Sequence, residues 1–266
     1  VTGTGEVRIL FIGDIMGRPG RDIVRKVLPG LKRKYAIDLT IANGENLAGG
    51  IGATPQVVQE IVDAGVEVIT FGNHVWKKKE MVRSIDDFDC AVRPANYPEG
   101  TPGRGSIVYD EDGLNVGVVC VLGRVFMDTL DCPFRAAKKE IELLQRTTKY
   151  IVVDVHAEAT SEKRALGWYL DGTVSAVLGT HTHVQTCDET ILPHGTGYIT
   201  DVGMTGGQHS VIGIRQDEAI SRFLTQMPIR FEVADEGVSL CGAVVELDRQ
   251  TGMTRKIFRL TNVTEP

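Results

Sequence analysis

A chain of 266 residues, 42% hydrophobic and 24% charged, can bury a sizeable core and has an ordinary globular make-up. Its net charge of −6 argues against a nucleic-acid binder that works by neutralising phosphates, yet leaves small anionic substrates open because a bound metal can reverse the field in a cleft. No apolar run approaches the roughly 18 residues of a membrane span, and the opening "VTGTGEV" lacks the basic and apolar regions of a signal peptide.

The five cysteines (Cys90, Cys120, Cys132, Cys187, Cys241) are scattered, odd in number and free of any CxxC pair, the usage of reduced thiols in a cytoplasmic protein. In chain order, residues 1–6 are expected to be a loose N-terminal extension, and "VRILFIG" (7–13) reads as a buried strand. "RDIVRKVLPGLKRKY" (21–35) reads as a helix interrupted by Pro29-Gly30. A second strand "DLTIAN" (38–43), a helix "TPQVVQEIVDAG" (54–65) capped by Thr54 with Pro55 first, and a third strand "VEVITFG" (66–72) follow. This βαβαβ order predicts a parallel sheet with helices on its faces.

Residues 105–123 then read as a hairpin around Asp112-Gly113. A helix over 133–148 precedes two strands that end in histidine, "YIVVDVH" (150–156) and "VSAVLGTHTH" (174–183). A helix at 216–226 and strands at 240–248 and 254–260 complete a single α/β domain spanning 1–266, with mixed sheets and helices outside.

Chemistry-bearing side chains follow the apolar runs. Asp14 follows "ILFIG", Glu45 and Asn46 follow "LTIANG", Asn73 and His74 follow "VITFG", His156 ends "IVVDV", and His181 and His183 end "SAVLGT". Ligands of open α/β sheets bind beyond the carboxyl ends of the strands. Singly, each residue has a plainer reading: Asp14 as turn or cap chemistry, "NGEN" as a solvated loop, His156 as a core histidine. The His181-Thr182-His183 pair is harder to dismiss, since residues two apart on an extended segment share a face.

Five segments together point to a metal site. No cysteine lies in them, which argues against thiolate zinc and iron–sulfur, and the donor types suit manganese, iron or zinc. Seven candidate ligands exceed the needs of one ion, and two ions sharing a carboxylate are the usual machinery for hydrolysis at phosphorus.

The order of "GDIM" (13–16), "NGEN" (43–46), "GNHVW" (72–76), "VDVH" (153–156) and "GTHTH" (179–183) resembles the calcineurin-like metallophosphoesterases. Met16 stands where those proteins carry a first-motif histidine, Glu45 replaces their bridging aspartate, and Val75 replaces the acid after "GNH". The altered set resembles the bacterial YmdB-like branch, phosphodiesterases active on 2′,3′-cyclic nucleotides, over residues 7–260, with "RPANYP" and "TDVGMTGG" in further support.

The resemblance implies a four-layer α-β-β-α sandwich with mixed sheets flanked by helices. It implies two metal ions per chain, iron or manganese ahead of zinc. Asp14, Asn46 and His183 would hold one ion, Asn73, His156 and His181 the other, with Glu45 bridging and Asn46 making up for Met16. A metal-bridging hydroxide would attack phosphorus, and His74 would act as general acid or, failing that, as an outer hydrogen-bonding group. The expected partner is a small phosphodiester, without extended nucleic acid or membrane, and homo-oligomerisation stays open.

Other features weigh less. "GDIMGRPG" lacks the Lys-Ser/Thr of a phosphate-binding P-loop, although Gly17, Arg18 and Gly20 could let backbone approach a phosphate. Gly203, Gly206 and Gly207 read equally as a plain turn or a binding loop, and Trp76 and Trp168 as packing residues. The rival functions are a phosphomonoesterase or phosphoprotein phosphatase on the same metals, and a non-catalytic regulator that binds a cyclic nucleotide or an RNA end.

Overall fold

The computed structural model describes residues 5–111 and 113–265. Residues 1–4 of the expected extension lie outside that set, and Glu6, assigned to it, instead opens the first strand by pairing with Asp248. The elements run β1 (Glu6–Ile12), β2 (Asp14–Ile15), α1 (Gly17–Tyr35), β3 (Leu39–Asn43), α2 (Pro55–Asp63), β4 (Val68–Thr70), α3 (Lys79–Ser84) and β5 (Ala91–Val92). They continue with β6 (Ser106–Glu111), β7 (Leu114–Leu122), α4 (Pro133–Leu144), β8 (Tyr150–His156), α5 (Thr160–Leu170), β9 (Ala176–Thr180), β10 (Thr190–Ile191) and β11 (Gly197–Ile199). β12 (Met204–Gly207), α6 (Gln216–Thr225), β13 (Val238–Asp248) and β14 (Thr254–Val263) complete the order.

One sheet runs β2-β12-β13-β1-β3-β4-β5, with β14 also on β13; the other runs β10-β11-β9-β8-β7-β6. The βαβαβ expectation holds, because β1, β3, β4 and β5 are parallel neighbours. Period-two alternation sorts the side chains into layers. Leu10 and Ile12 face the helices with Val24, Leu28, Val58 and Ile61. Ile9 and Phe11 face the other sheet, among Val118, Val152 and Leu178. That second sheet turns Val119, Val153 and Val177 toward Ile141 of α4 and Leu166 of α5. Three apolar layers separated by two sheets make the four-layer α-β-β-α sandwich.

Several boundaries move. α1 begins at Gly17 and continues through Pro29-Gly30 without a break. Both residues are exposed, so the carbonyl that Pro29 cannot satisfy faces water, while burial of Val24, Val27, Leu28 and Leu31 holds the helix together. Thr54 occupies the cap position of α2 but makes no side-chain capping bond. The hairpin is present as antiparallel β6 and β7; Asp112 lies outside the described residues, and Gly113 takes φ +76°. Of the "TDVGMTGG" glycines, Gly206 and Gly207 lie in a strand, Met204–Gly207 between β2 and β13, whereas Gly203 precedes it in irregular backbone with φ +85°.

No helix among the described residues is long and apolar enough to cross a membrane. All five cysteines are free.

Two glycines should respond in opposite directions. A Cβ at Gly30 meets nothing within 4 Å, so Gly30→Ala should stabilise by about 1 kcal/mol through helix propensity. A Cβ at Gly242 would lie 2.4 Å from the Phe11 carbonyl oxygen across the β1–β13 pairing, so Gly242→Ala should cost about 1–3 kcal/mol. Thermal unfolding of both variants checks the pair.

Candidate metal centre

The chain's two sheets end at one edge, and the side chains singled out above meet there. β1 stops at Ile12, and Gly13 lets the backbone cross so closely to Gly203 that an added Cβ would lie 2.0 Å from its carbonyl oxygen. Asp14 follows, fully buried. β3 delivers Glu45 and Asn46 in a turn, with the Glu45 amide donating to Asn43 Oδ1 at 3.1 Å. β4 is followed by a turn over residues 73–76 that carries Asn73 and His74. From the second sheet, His156 is the last residue of β8, and His181 and His183 follow β9.

The expected reason for the convergence of the last pair does not hold. β9 ends at Thr180, and His181 and His183 take φ +99° and +65° rather than extended values. They are turned toward different parts of the centre. His181 Nδ1 lies 3.1 Å from His156 Nε2. His183 Nε2 lies 3.1 Å from the Asn46 amide and 3.8 Å from Asp14 Oδ1. His74 likewise sits in a turn rather than on an extended segment, with Nδ1 2.9 Å from Asn46 Oδ1 and 3.0 Å from Glu45 Oε1.

Each of the three strand-end histidines commits one ring N–H to an acceptor outside the cluster. Thr180 donates its single proton to Asp154 Oδ1 at 2.7 Å, so its oxygen must accept from His156 Nδ1 at 2.9 Å. His181 Nε2 faces Glu158 Oε2 at 3.1 Å, and His183 Nδ1 donates to the Ile212 carbonyl at 2.7 Å. Their remaining nitrogens face inward, where each can offer a lone pair to a cation that takes the place of a proton, the arrangement by which outer partners orient metal-binding imidazoles.

The crowding is greatest at His156 Nε2. Glu45 Oε2 lies 2.9 Å away, Asn73 Oδ1 3.1 Å and His181 Nδ1 3.1 Å. One proton on Nε2 can satisfy one of those three acceptors, whereas a cation attracts every lone pair present. Asp14 Oδ1 is buried with no hydrogen-bond donor among the described residues. Glu45, His156 and His181 each place a ligand atom within 4.8 Å of the others. The donor set therefore fits a metal.

Electrostatics agree in direction. Burial raises the Asp14 carboxyl to about 6 against the pull of His183 and His156. For Glu45, burial is outweighed by His156 and His74, which hold its carboxyl well below the usual range. Burial alone would lower His156, but Glu45, Asp14 and Asp154 raise it to about 9. His181 falls to about 3 through burial and the neighbouring His156. Two buried carboxylates thus make a pocket that attracts positive charge.

Several contributors escape motif reading. Asp154, Thr70, Asn43 and Thr180 form the support behind His156. The one sequence signal is a buried-strand run, "YIVVDVH", interrupted by a carboxylate. Gly72 matters by lacking a side chain: a Cβ there would fall 1.9 Å from Glu45 Oε2 and 2.3 Å from His156 Nε2. Other residues stay out of the centre. Arg18 is paired with Asp22 on the exposed face of α1, and Gly20 serves packing against the Thr205 carbonyl. The Met16 side chain lies against Gly50, Gly206 and Gly213, and Trp76 packs edge-on to Tyr97.

A four-layer sandwich carrying imidazoles, carboxylates and amides at the meeting strand ends defines a metallophosphoesterase-type protein. Residues 10–260 match the YmdB-like protein family, and the chain belongs to it. It is 50% identical over 254 residues to the 2′,3′-cyclic-nucleotide 2′-phosphodiesterase of Bacillus subtilis (strain 168), with 96% of each chain covered. A crystal structure of a hypothetical protein from Thermus thermophilus superposes with a TM-score of 0.89 at 45% identity, covering 98% of this chain and 100% of that one. A novel phosphatase from Mycoplasma pneumoniae gives a TM-score of 0.89 at 35% identity, covering 96% and 92%.

Gly72→Ala should lower metal content sharply while leaving the distant apolar layers in place, because the new methyl occupies the space where Glu45 and His156 approach. His181→Ala with His183→Ala should do the same by removing two lone pairs. Elemental analysis beside far-ultraviolet circular dichroism measures both. Full metal content in either variant contradicts the assignment.

Proposed function

We propose that this phosphoric diester hydrolase cleaves 2′,3′-cyclic nucleotides or similar small phosphodiesters with two metal ions. Asp14, Asn46 and His183 would hold one, Asn73, His156 and His181 would hold the other, and Glu45 would serve both. The observation that carries the reading is the convergence of three acceptor atoms on His156 Nε2 within 3.1 Å, with Asp14 Oδ1 buried and undonated nearby. The activity in the name of the Bacillus subtilis relative supports a cyclic phosphate as substrate and the 2′ ester as the bond that breaks.

When bound, the ions supply charge neutralisation of the phosphate oxygens and a water activated for in-line attack. The protein's part is orientation and proton delivery. Thr180, Glu158 and Ile212 hold the three imidazoles in the tautomers that leave inward lone pairs. Glu45 Oε1 and Asn46 Oδ1 both face His74 Nδ1 as acceptors, which fixes the ring with Nδ1 protonated; in the imidazolium form Nε2 carries the second proton and would hand it to the departing 2′-oxygen. The His74 side chain is one quarter exposed, so the ring is open to a substrate that reaches the centre from solvent.

A five-membered cyclic phosphate is compact and does not need the long basic groove that extended RNA would require. The net charge of −6 is in keeping with a small substrate held chiefly at the centre. The Mycoplasma pneumoniae structure, described as a phosphatase, favours phosphomonoesters as the second reading. Comparing kcat/KM for 2′,3′-cyclic AMP, 3′,5′-cyclic AMP and a phosphomonoester on one metal-loaded preparation should rank the 2′,3′-cyclic ester first. A preference for the monoester would replace the first reading with the second.

His74→Ala should retain metal and lose about 10²–10⁴-fold in turnover of the cyclic nucleotide. The loss should shrink for a nitrophenyl phosphodiester, whose leaving group needs no proton. Equal losses on both substrates would remove the general-acid role, and loss of metal would make His74 a ligand.

A further inference from the structure

The tightest constraint on the centre lies beneath it. His181 and His183 sit on either side of Thr182 with φ +99° and +65°, values that L residues rarely adopt. Such backbone persists where its surroundings over-determine it. Thr182 is the residue tied down. Its amide donates to Asp201 Oδ2 at 3.0 Å, and its hydroxyl donates to the same oxygen at 2.7 Å.

Asp201 is fully buried, and Lys163 of α5, 1% exposed, donates its ammonium to Oδ2 at 2.7 Å. The Gly203 amide donates to Oδ1 at 2.9 Å, and the Asp201 backbone exchanges hydrogen bonds with Thr186. The carboxylate therefore cannot turn without breaking several charge-assisted bonds. Lys163 is itself placed by the strand–helix unit that carries His156, since α5 begins four residues after β8 ends.

Neither Lys163 nor Asp201 belongs to the ligand set. A buried ion pair adds little net stability, because desolvation offsets the attraction, but it does favour one geometry over others. We propose that Lys163 and Asp201 are positioning residues: a buried pair that pins Thr182 and thereby aims His181 and His183 into different parts of the metal centre. This rests on the metal reading above. The Thr182 hydroxyl is the removable pin. Without it one bond to Asp201 is lost, the flanking backbone relaxes toward commoner φ values, and both imidazoles leave their lines of approach.

Thr182→Val deletes the hydroxyl at nearly constant shape, Thr182→Ala repeats the deletion without a branched side chain, and Thr182→Ser keeps the hydroxyl. Mn²⁺ affinity of chelator-stripped protein, the visible spectrum of the Co²⁺-loaded protein, and amide exchange at residues 181–183 in metal-free protein are the readouts. Val and Ala should bind Mn²⁺ about 10- to 100-fold more weakly. They should also shift the Co²⁺ band and speed exchange at those amides, while the metal-free protein stays folded and unfolds at a somewhat lower temperature because one bond to a buried carboxylate is lost. Ser should restore all three readouts.

Wild-type affinity and exchange in both the Val and Ala variants, or failure of Ser alongside them, overturns the pin. Wild-type protein that takes up no Mn²⁺ or Co²⁺ overturns the metal reading instead, and the exchange measurement on metal-free protein still decides the pin.

Discussion

The architecture turns on one buried carboxylate. Asp154, on β8, accepts from Asn43 Nδ2 at 3.0 Å, from the Thr70 hydroxyl at 2.5 Å and from the Thr180 hydroxyl at 2.7 Å. Those donors sit on β3, β4 and β9, so one side chain bonds strands of both sheets across an otherwise apolar layer. Burial raises its carboxyl above the usual range, and the three donors oppose that rise. A group so enclosed is costly unless every lone pair is used, and here the bonds fix how the two sheets align. The edge where β1, β3, β4, β8 and β9 end is the edge this alignment brings together.

From that stitch the chain of support runs outward. Asp154 fixes the Thr180 hydroxyl, Thr180 fixes the His156 ring, and His156 presents Nε2 to Glu45, Asn73 and His181. Gly72 keeps the space between Glu45 and His156 open. Rigid strand ends carry the donors, and the turns between strand and donor supply the fine aim. Such outer partners govern ring orientation and basicity as much as the ligands themselves do.

Much of this is legible in the residues, for physical reasons. Runs such as "VRILFI" and "YIVVDV" are apolar on both faces, as strands covered on two sides must be, and donors placed just after them mark the carboxyl edge of a parallel sheet. What stays hidden are effects of tertiary contact. Pro29-Gly30 looks like a break, yet burial of the opposite face of α1 outweighs the lost hydrogen bond. His181 and His183 look like alternate residues of a strand, while their positive φ values come from what surrounds Thr182, including a lysine and an aspartate distant in sequence. A glycine needed for empty space, such as Gly72, cannot be told from a turn glycine without knowing who approaches it.

The His181 amide bonds the carboxylate of Asp14 at 3.1 Å, across a separation of 167 positions in the chain. Closing a loop of that length is an entropic cost that local structure does not recover, so contacts of this kind form once most of the molecule is in place. The centre is therefore assembled from the most distant parts of the fold, and a partly folded chain with one finished sheet has only some of its donors. On the proposed metal reading, competence to hold a cation is thus a report on the completed docking of the two sheets, since only the docked pair brings the full set of donors together.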